Sequence, residues 1–311
     1  MISNCHFIRK IIRSFCLAGF ATLGLSLLLR LSAAEPGENP EAGSSRFAAN
    51  QTVEYLPGTL PIIIAAPHGG RLEPAEIPDR KAGVVVTDAN SDLLARELAK
   101  SLHHMTGKHP HLIICHLKRS KVDCNRDALS GTGGNADAMA TWEAFHGCIA
   151  EARSAGGAFY FDLHGHSHPE ARVELGYQIS AGQLRLTGEP LDAVEHRSSI
   201  AGLAATSPGT FEERLRGGTS LGGLLEERGF PAIPSPSHAD NGEEPYFTGG
   251  FNVALYGKTS NGAPGVAIQV ECPRPGIRDT AENRQRFASA LAESIVEFLK
   301  IHAATDLSTG S

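Results

Sequence analysis

The sequence predicts an α/β fold in which a largely parallel sheet is covered by helices on both faces. Short apolar runs alternate with longer amphipathic stretches over most of the chain, the pattern left by strand–helix–strand units. The apolar runs suit strands buried on both faces. A chain of 311 residues with 41% hydrophobic content can bury one sizeable core, and no internal repeat suggests a solenoid or tandem array.

The first 34 residues read as a secretory signal. Arg9, Lys10 and Arg13 precede an apolar run from Phe15 to Leu29, and Ser32-Ala33-Ala34 offers small residues for cleavage. The run is about 15 residues, short of the roughly 20 that span a bilayer. Export to the periplasm or the exterior with cleavage after Ala34 is therefore expected, and an uncleaved segment would instead anchor the chain. Residues 35–50, rich in Pro, Gly, Ser and acids, read as a flexible linker, and residues 51–303 as one catalytic domain. Residues 304–311 read as a disordered tail.

Within the domain, strands are expected at 61–66, 112–117, 158–163, 173–179 and 266–270. Helices are expected at 90–104, 138–154, 220–228 and 280–302. Charged residues make up 20% and the isoelectric point lies near 6.2, as in ordinary globular proteins. Losing the first 34 residues removes Arg9, Lys10, Arg13 and Arg30 and no acid, so the net charge of −6 becomes −10. No basic stripe marks a nucleic-acid partner, and no stable membrane partner is expected beyond the signal segment. Cys115, Cys124, Cys148 and Cys272 would allow three disulfide pairings after export; buried free thiols are the equally good alternative.

Ligands in open α/β sheets gather beyond the carboxyl ends of the strands. Strand 61–66 runs into Pro67-His68-Gly69-Gly70, strand 158–163 carries Asp162 and runs into His164-Gly165-His166, and strand 266–270 ends at Glu271. Two histidines and a carboxylate at one sheet edge suit a hydrolytic zinc, one ion per chain, with a position left open for water. His68 and His164 would supply the nitrogens. For the acidic ligand, Glu73 shares the His68 loop and Asp88 stands just ahead of a helix, where it would otherwise be a cap. Asp162 shares a strand face with His164 and would orient its ring. His166 and His168 share that face; a polar rim at the mouth of the cleft is the alternative for both, and the preferred reading for His168. Glu271, emerging from an apolar strand, would have its pKa raised towards that of a general base. Beyond strand 112–117, Arg119 and Arg126 offer guanidinium forks for a substrate carboxylate, each with a structural ion pair as its alternative.

The ordered set PHGG (67–70), TDANSD (87–92), VDCNRD (122–127), DLHGH (162–166), FTGGF (247–251) and QVE (269–271) resembles the N-formylglutamate amidohydrolase family from about His68 to Arg278. That resemblance implies a three-layer α/β sandwich with a mostly parallel mixed sheet, the zinc carboxypeptidase-like (phosphorylase/hydrolase-like) fold. It implies His68 and His164 as zinc ligands, Glu271 as catalytic acid/base, and Asn125-Arg126 as the pair holding a terminal carboxylate. Gly249 and Gly250 of FTGGF fall with the substrate-binding residues. Carboxypeptidases have an acid three residues after the first histidine, where Arg71 stands here. The amidohydrolases' Thr-Asp favours Asp88 as third ligand, and the related poly-γ-glutamate hydrolases favour Glu73. The segment 184–240 matches no motif and is expected to shape the pocket. The implied activity is hydrolysis of an amide bond in a small N-acyl-glutamate-like substrate. Alternatives are an exported carboxypeptidase or γ-glutamyl peptide hydrolase acting on a carboxylate-bearing peptide, and an inactive binding module.

Overall fold

The computed structural model describes residues 41–307 apart from Ser260 and Pro264. The expected signal segment and most of the linker lie outside the described residues. Eight strands form one mixed sheet in the order β1-β2-β4-β3-β5-β8-β6-β7, comprising β1 (Arg46–Ala48), β2 (Val53–Leu56), β3 (Ile62–Ala66), β4 (His111–Cys115), β5 (Phe159–His166), β6 (Val173–Gly176), β7 (Ala232–Ile233) and β8 (Val266–Pro273). The central strands β4, β3, β5 and β8 are parallel, while β2 joins β4, and β6 joins β8, antiparallel.

Strand alternation divides the core between the two faces. Ile62, Ile64, Phe161, Leu163, Ile268 and Val270 pack on one face, against helices Ser91–Thr106 and Ala281–His302. Ile63, Ala65, Tyr160 and Ala267 pack on the other, against helix Ala136–Ser154. The result is the three-layer α/β arrangement that the sequence predicts. Polar caps start two of these helices: the Asn135 side chain accepts from Ala138 N and that of Thr280 from Asn283 N. Gly107, in the left-handed region at φ 68°, ends helix Ser91–Thr106.

The topology fixes where ligands collect. The chain passes from β3 to β4 on one side and then crosses back to β5 on the other, so β3 and β5 part at their carboxyl ends, a topological switch point. His68 lies just past β3 and His164 within the end of β5. On β5 and β8, Asp162, His164, Gln269 and Glu271 alternate with the residues of the first core face, and therefore share the opposite one.

Several boundaries differ from expectation. Part of the expected linker is an edge strand, because Arg46–Ala48 pairs antiparallel with β2. Leu307, in the expected tail, is buried against the core. From segment 184–240, Leu191, Leu203, Phe211 and Leu215 fill the core. Among the described residues none from that segment bonds the site described below. All four cysteines of the domain are buried free thiols. No described helix is long and apolar enough to cross a membrane.

Candidate metal centre

Pro67-His68-Gly69-Gly70 leaves β3 through a narrow passage. A Cβ at Gly69 would come within 2.5 Å of the Asp92 amide nitrogen, and one at Gly70 would strike the backbone of His116 and Leu117. The two glycines are thus needed for close approach of neighbouring backbone. That passage sets His68, fully buried, against the end of β5.

Three donor atoms converge there. His68 Nδ1 is 3.1 Å from His164 Nδ1 and 3.3 Å from Asp88 Oδ2, and His164 Nδ1 is 3.1 Å from the same oxygen. The far nitrogen of each ring faces a carboxylate: His68 Nε2 lies 2.7 Å from Asp123 Oδ1, and His164 Nε2 lies 3.0 Å from Asp162 Oδ2. A carboxylate accepts only, so each outer pair holds a ring proton on Nε2, and Nδ1 presents its lone pair inward once any proton shared with Asp88 has left it. Ligand atoms around a tetrahedral ion with bonds of about 2.0–2.2 Å stand about 3.3 Å apart. The triangle of 3.1 to 3.3 Å has that size, and its donor set of two imidazoles and a carboxylate suits zinc. The residues therefore fit a metal ion.

Asp88 is no helix cap. Its Oδ2 faces the histidines and accepts from Gly165 N at 3.2 Å, while its Oδ1 accepts from Arg119 Nη1 at 3.3 Å. Glu73 is not brought to the histidines: it is half-exposed and paired with Lys118. A five-residue spacing within one loop could not reveal that the side chain turns outward.

The electrostatics are those of a tightly coupled cluster of buried acids and imidazoles. Burial opposes ionisation of Asp88, but hydrogen bonds and charge from His164 and His68 outweigh it and hold the carboxyl well below its usual range. Burial of Asp123 is likewise overcome by His68 and by Arg119 and Arg80, so it too stays ionised far into acid. His164 is pushed the other way: burial disfavours its charge, but Asp162, Asp88 and Glu271 raise its pKa well above the ordinary value.

Glu271 pairs in register with His164 on one side and Glu174 on the other. Its Oε1 accepts from Gln269 Nε2 at 2.9 Å, and its buried Oε2 has no hydrogen-bond partner. Burial first, then the charges of Asp88 and Glu174, lift its pKa to about 8, against the opposing charges of His164 and Arg119. The upward direction is the one read from the apolar strand.

The arginines separate. Arg119 is committed to Asp88 and, through Nε at 3.2 Å, to Asp123, so its ion pairs are structural rather than free for substrate. Arg126 Nε also donates to Asp123, at 3.2 Å, but its side chain is 39% exposed and no described residue accepts from Nη1 or Nη2. The fork remains available. Asn125 Nδ2 lies 3.2 Å from His164 Nε2, and Asn125 Oδ1 accepts from Asn252 N at 2.8 Å. Gly250 donates its amide to Gln269 Oε1 at 2.6 Å, and a Cβ on it would fall on the Asn125 amide. Gly249 at φ 113° turns the chain into that position. These glycines carry the 247–251 loop onto the site.

His166 is not on a rim: it is 3% exposed, and its Nε2 donates to Arg172 O at 2.9 Å. Two supports of the site stand outside the residues expected from sequence: Asp123 behind His68, and Arg80, whose Nη1 donates to Asp123 at 3.1 Å. Asp123 had a legible signal, a carboxylate two residues before Asn125. Arg80, in an irregular loop, had none.

No family model matches this sequence, and no curated protein matches it. Among solved structures the chain is similar to an N-formylglutamate amidohydrolase from Ralstonia eutropha JMP134, at 16% identity and a TM-score of 0.46, covering 82% of this chain and 99% of that one. It is also similar to a gene product of Agrobacterium tumefaciens, at 13% identity and a TM-score of 0.47, over 82% of this chain and 96% of that one.

Proposed function

We propose that this chain is a zinc-dependent hydrolase that cleaves the amide bond of a small carboxylate-bearing substrate of the N-formyl- or N-acyl-glutamate type. The observation that carries the reading is the triangle of His68 Nδ1, His164 Nδ1 and Asp88 Oδ2, with both ring protons held outward by Asp123 and Asp162. Zinc held by these three residues would supply Lewis acidity to a water and to the amide carbonyl. Glu271 takes the proton from the attacking water on its unpartnered Oε2 and delivers it to the departing amine nitrogen. Arg126 receives the substrate carboxylate in its free fork, and the neighbouring Asn125 lies against His164, its Nδ2 3.2 Å from His164 Nε2. The glutamate-type substrate rests on the motif resemblance together with this fork. Export with cleavage after Ala34 is part of the proposal, tested by the N-terminal mass of the protein recovered outside the cytoplasm.

The test is zinc content by mass spectrometry, paired with amine release from N-formyl-glutamate, N-acetyl-glutamate, γ-glutamyl dipeptides and peptides with free carboxyl termini. The wild type is expected to hold zinc at His164 and to act on the N-acyl amino acids. Glu271→Gln is expected to keep the zinc and lose turnover by about a thousandfold, within the range of general-base contributions. Activity on the peptides alone would support a peptidase. Zinc with no turnover on any substrate would support a binding module, and retained turnover in Glu271→Gln would sink the assigned role.

A further inference from the structure

We propose a second transition-metal site at His166, His168 and Glu174, distinct from the centre above and sharing none of its ligands. β5 ends at His166, His168 follows two residues on, and Glu174 lies on β6, with β8 running between the two strands. Glu174 Oε1 is 2.7 Å from His168 Nδ1 and 3.9 Å from His166 Nδ1, so one donor atom from each residue falls within 4.8 Å of the others. Glu174 is 1% exposed and His166 3%. Two imidazoles and a carboxylate form the same donor set as the first centre, suited to zinc or another borderline divalent ion.

The surroundings are arranged as around metal ligands. His166 Nε2 faces the Arg172 carbonyl, which only accepts, so the ring proton sits on Nε2 and Nδ1 carries the lone pair. That lone pair receives the His168 amide at 3.1 Å, a hydrogen bond that ligation would exchange for a coordinate bond. Glu174 Oε2 accepts from Phe247 N at 2.9 Å, leaving Oε1 as the single ligand oxygen. The His168 ring lies flat on Phe247, with centroids 4.7 Å apart and planes 8° from parallel. Glu174 also stands in register with Glu271, so two buried carboxylates lie on adjacent strands and His168 is the ionisable partner that Glu174 bonds. An ion here clamps β5 to β6 and, through Glu174 and His168, fixes the Phe247–Gly250 turn that reaches Asn125 and Gln269. Its role is to hold the substrate loop in place.

The experiment uses the full chain without a histidine tag, stripped with chelator and titrated with zinc chloride, with bound metal read by mass spectrometry after dialysis. Wild type is expected to hold two zinc ions per chain, and His168→Ala, Glu174→Gln and His164→Ala one each. His164→Ala/His168→Ala is expected to hold none. Glu174→Gln keeps the shape of the side chain and guards against misfolding, checked by an unchanged far-ultraviolet circular dichroism spectrum. Zinc should also raise the melting temperature of His164→Ala and leave that of the double variant unmoved. One ion in wild type, retained in His168→Ala and lost in His164→Ala, would overturn the second site and leave the hydrolase reading standing. A second ion that persists in both His168→Ala and Glu174→Gln would place it elsewhere and overturn the proposal.

Discussion

Glu271→Gln should stabilise the metal-free protein, and increasingly so as the pH rises. The carboxyl of Glu271 titrates near 8 in the fold against an ordinary value of 4.5, chiefly because it is buried. The folded chain therefore holds this proton more tightly than the unfolded chain. The resulting stabilisation is fully present below the ordinary value and is lost as pH climbs through the folded one. An amide does not titrate, so the variant lacks this loss. With those two values, wild type loses up to about 3 kcal/mol relative to the variant between about pH 6 and about pH 9. In a domain of this size that is a change of roughly 5 to 10 °C in the gap between the two melting temperatures. Thermal unfolding of chelator-treated wild type and variant, followed by circular dichroism at the two pH values, measures it. All other ionisable groups are common to both proteins and largely cancel in the comparison. A gap that stays constant or narrows with rising pH would refute the claim that Glu271 is held protonated by burial.

Three further outcomes follow from the same geometry. Asp123→Asn removes the negative charge behind His68, offers a donor amide where the carboxylate only accepted, and leaves the buried guanidinium of Arg80 without its carboxylate; zinc affinity should fall about 10- to 100-fold in a chelator competition, with a stability loss of about 3 kcal/mol by denaturant titration. Arg126→Lys keeps the charge but loses the planar fork, so KM for a carboxylate-bearing substrate should rise about tenfold with kcat little changed; an unchanged KM would remove Arg126 from the binding role. The raised pKa of His164 means that metal must displace a proton, so zinc affinity should strengthen with rising pH until the metal-free ring is neutral. Competition titrations across neutral pH test this, and a flat profile would refute the claim that metal displaces a proton from His164.

The five central strands and the long helices were legible because they bury wide apolar faces, and that periodicity is local. Strands β1, β2 and β7 were not, since a strand of two to four residues is defined by its neighbour rather than by its own pattern. Asp162 and His164 could be placed on one face from the two-residue repeat, and the structure keeps them together. Glu73 and Asp88 were equally open by spacing, because which of two loop carboxylates turns inward depends on packing against other elements. Arg119 binding two buried acids, Asp123 behind His68, and His166 turned into the fold rather than towards solvent are contacts between residues far apart in sequence.

What the sequence determined by itself was the class of fold and the edge of the sheet where the candidate site lies, because strand periodicity and the carboxyl-end placement of loops are properties of short segments. Only the tertiary structure decided which acid meets the two histidines, which arginine keeps its fork free, and that a second histidine pair meets Glu174. Those outcomes depend on charges from five separate segments being brought out of water together, where each buried carboxylate must find a cation or keep its proton.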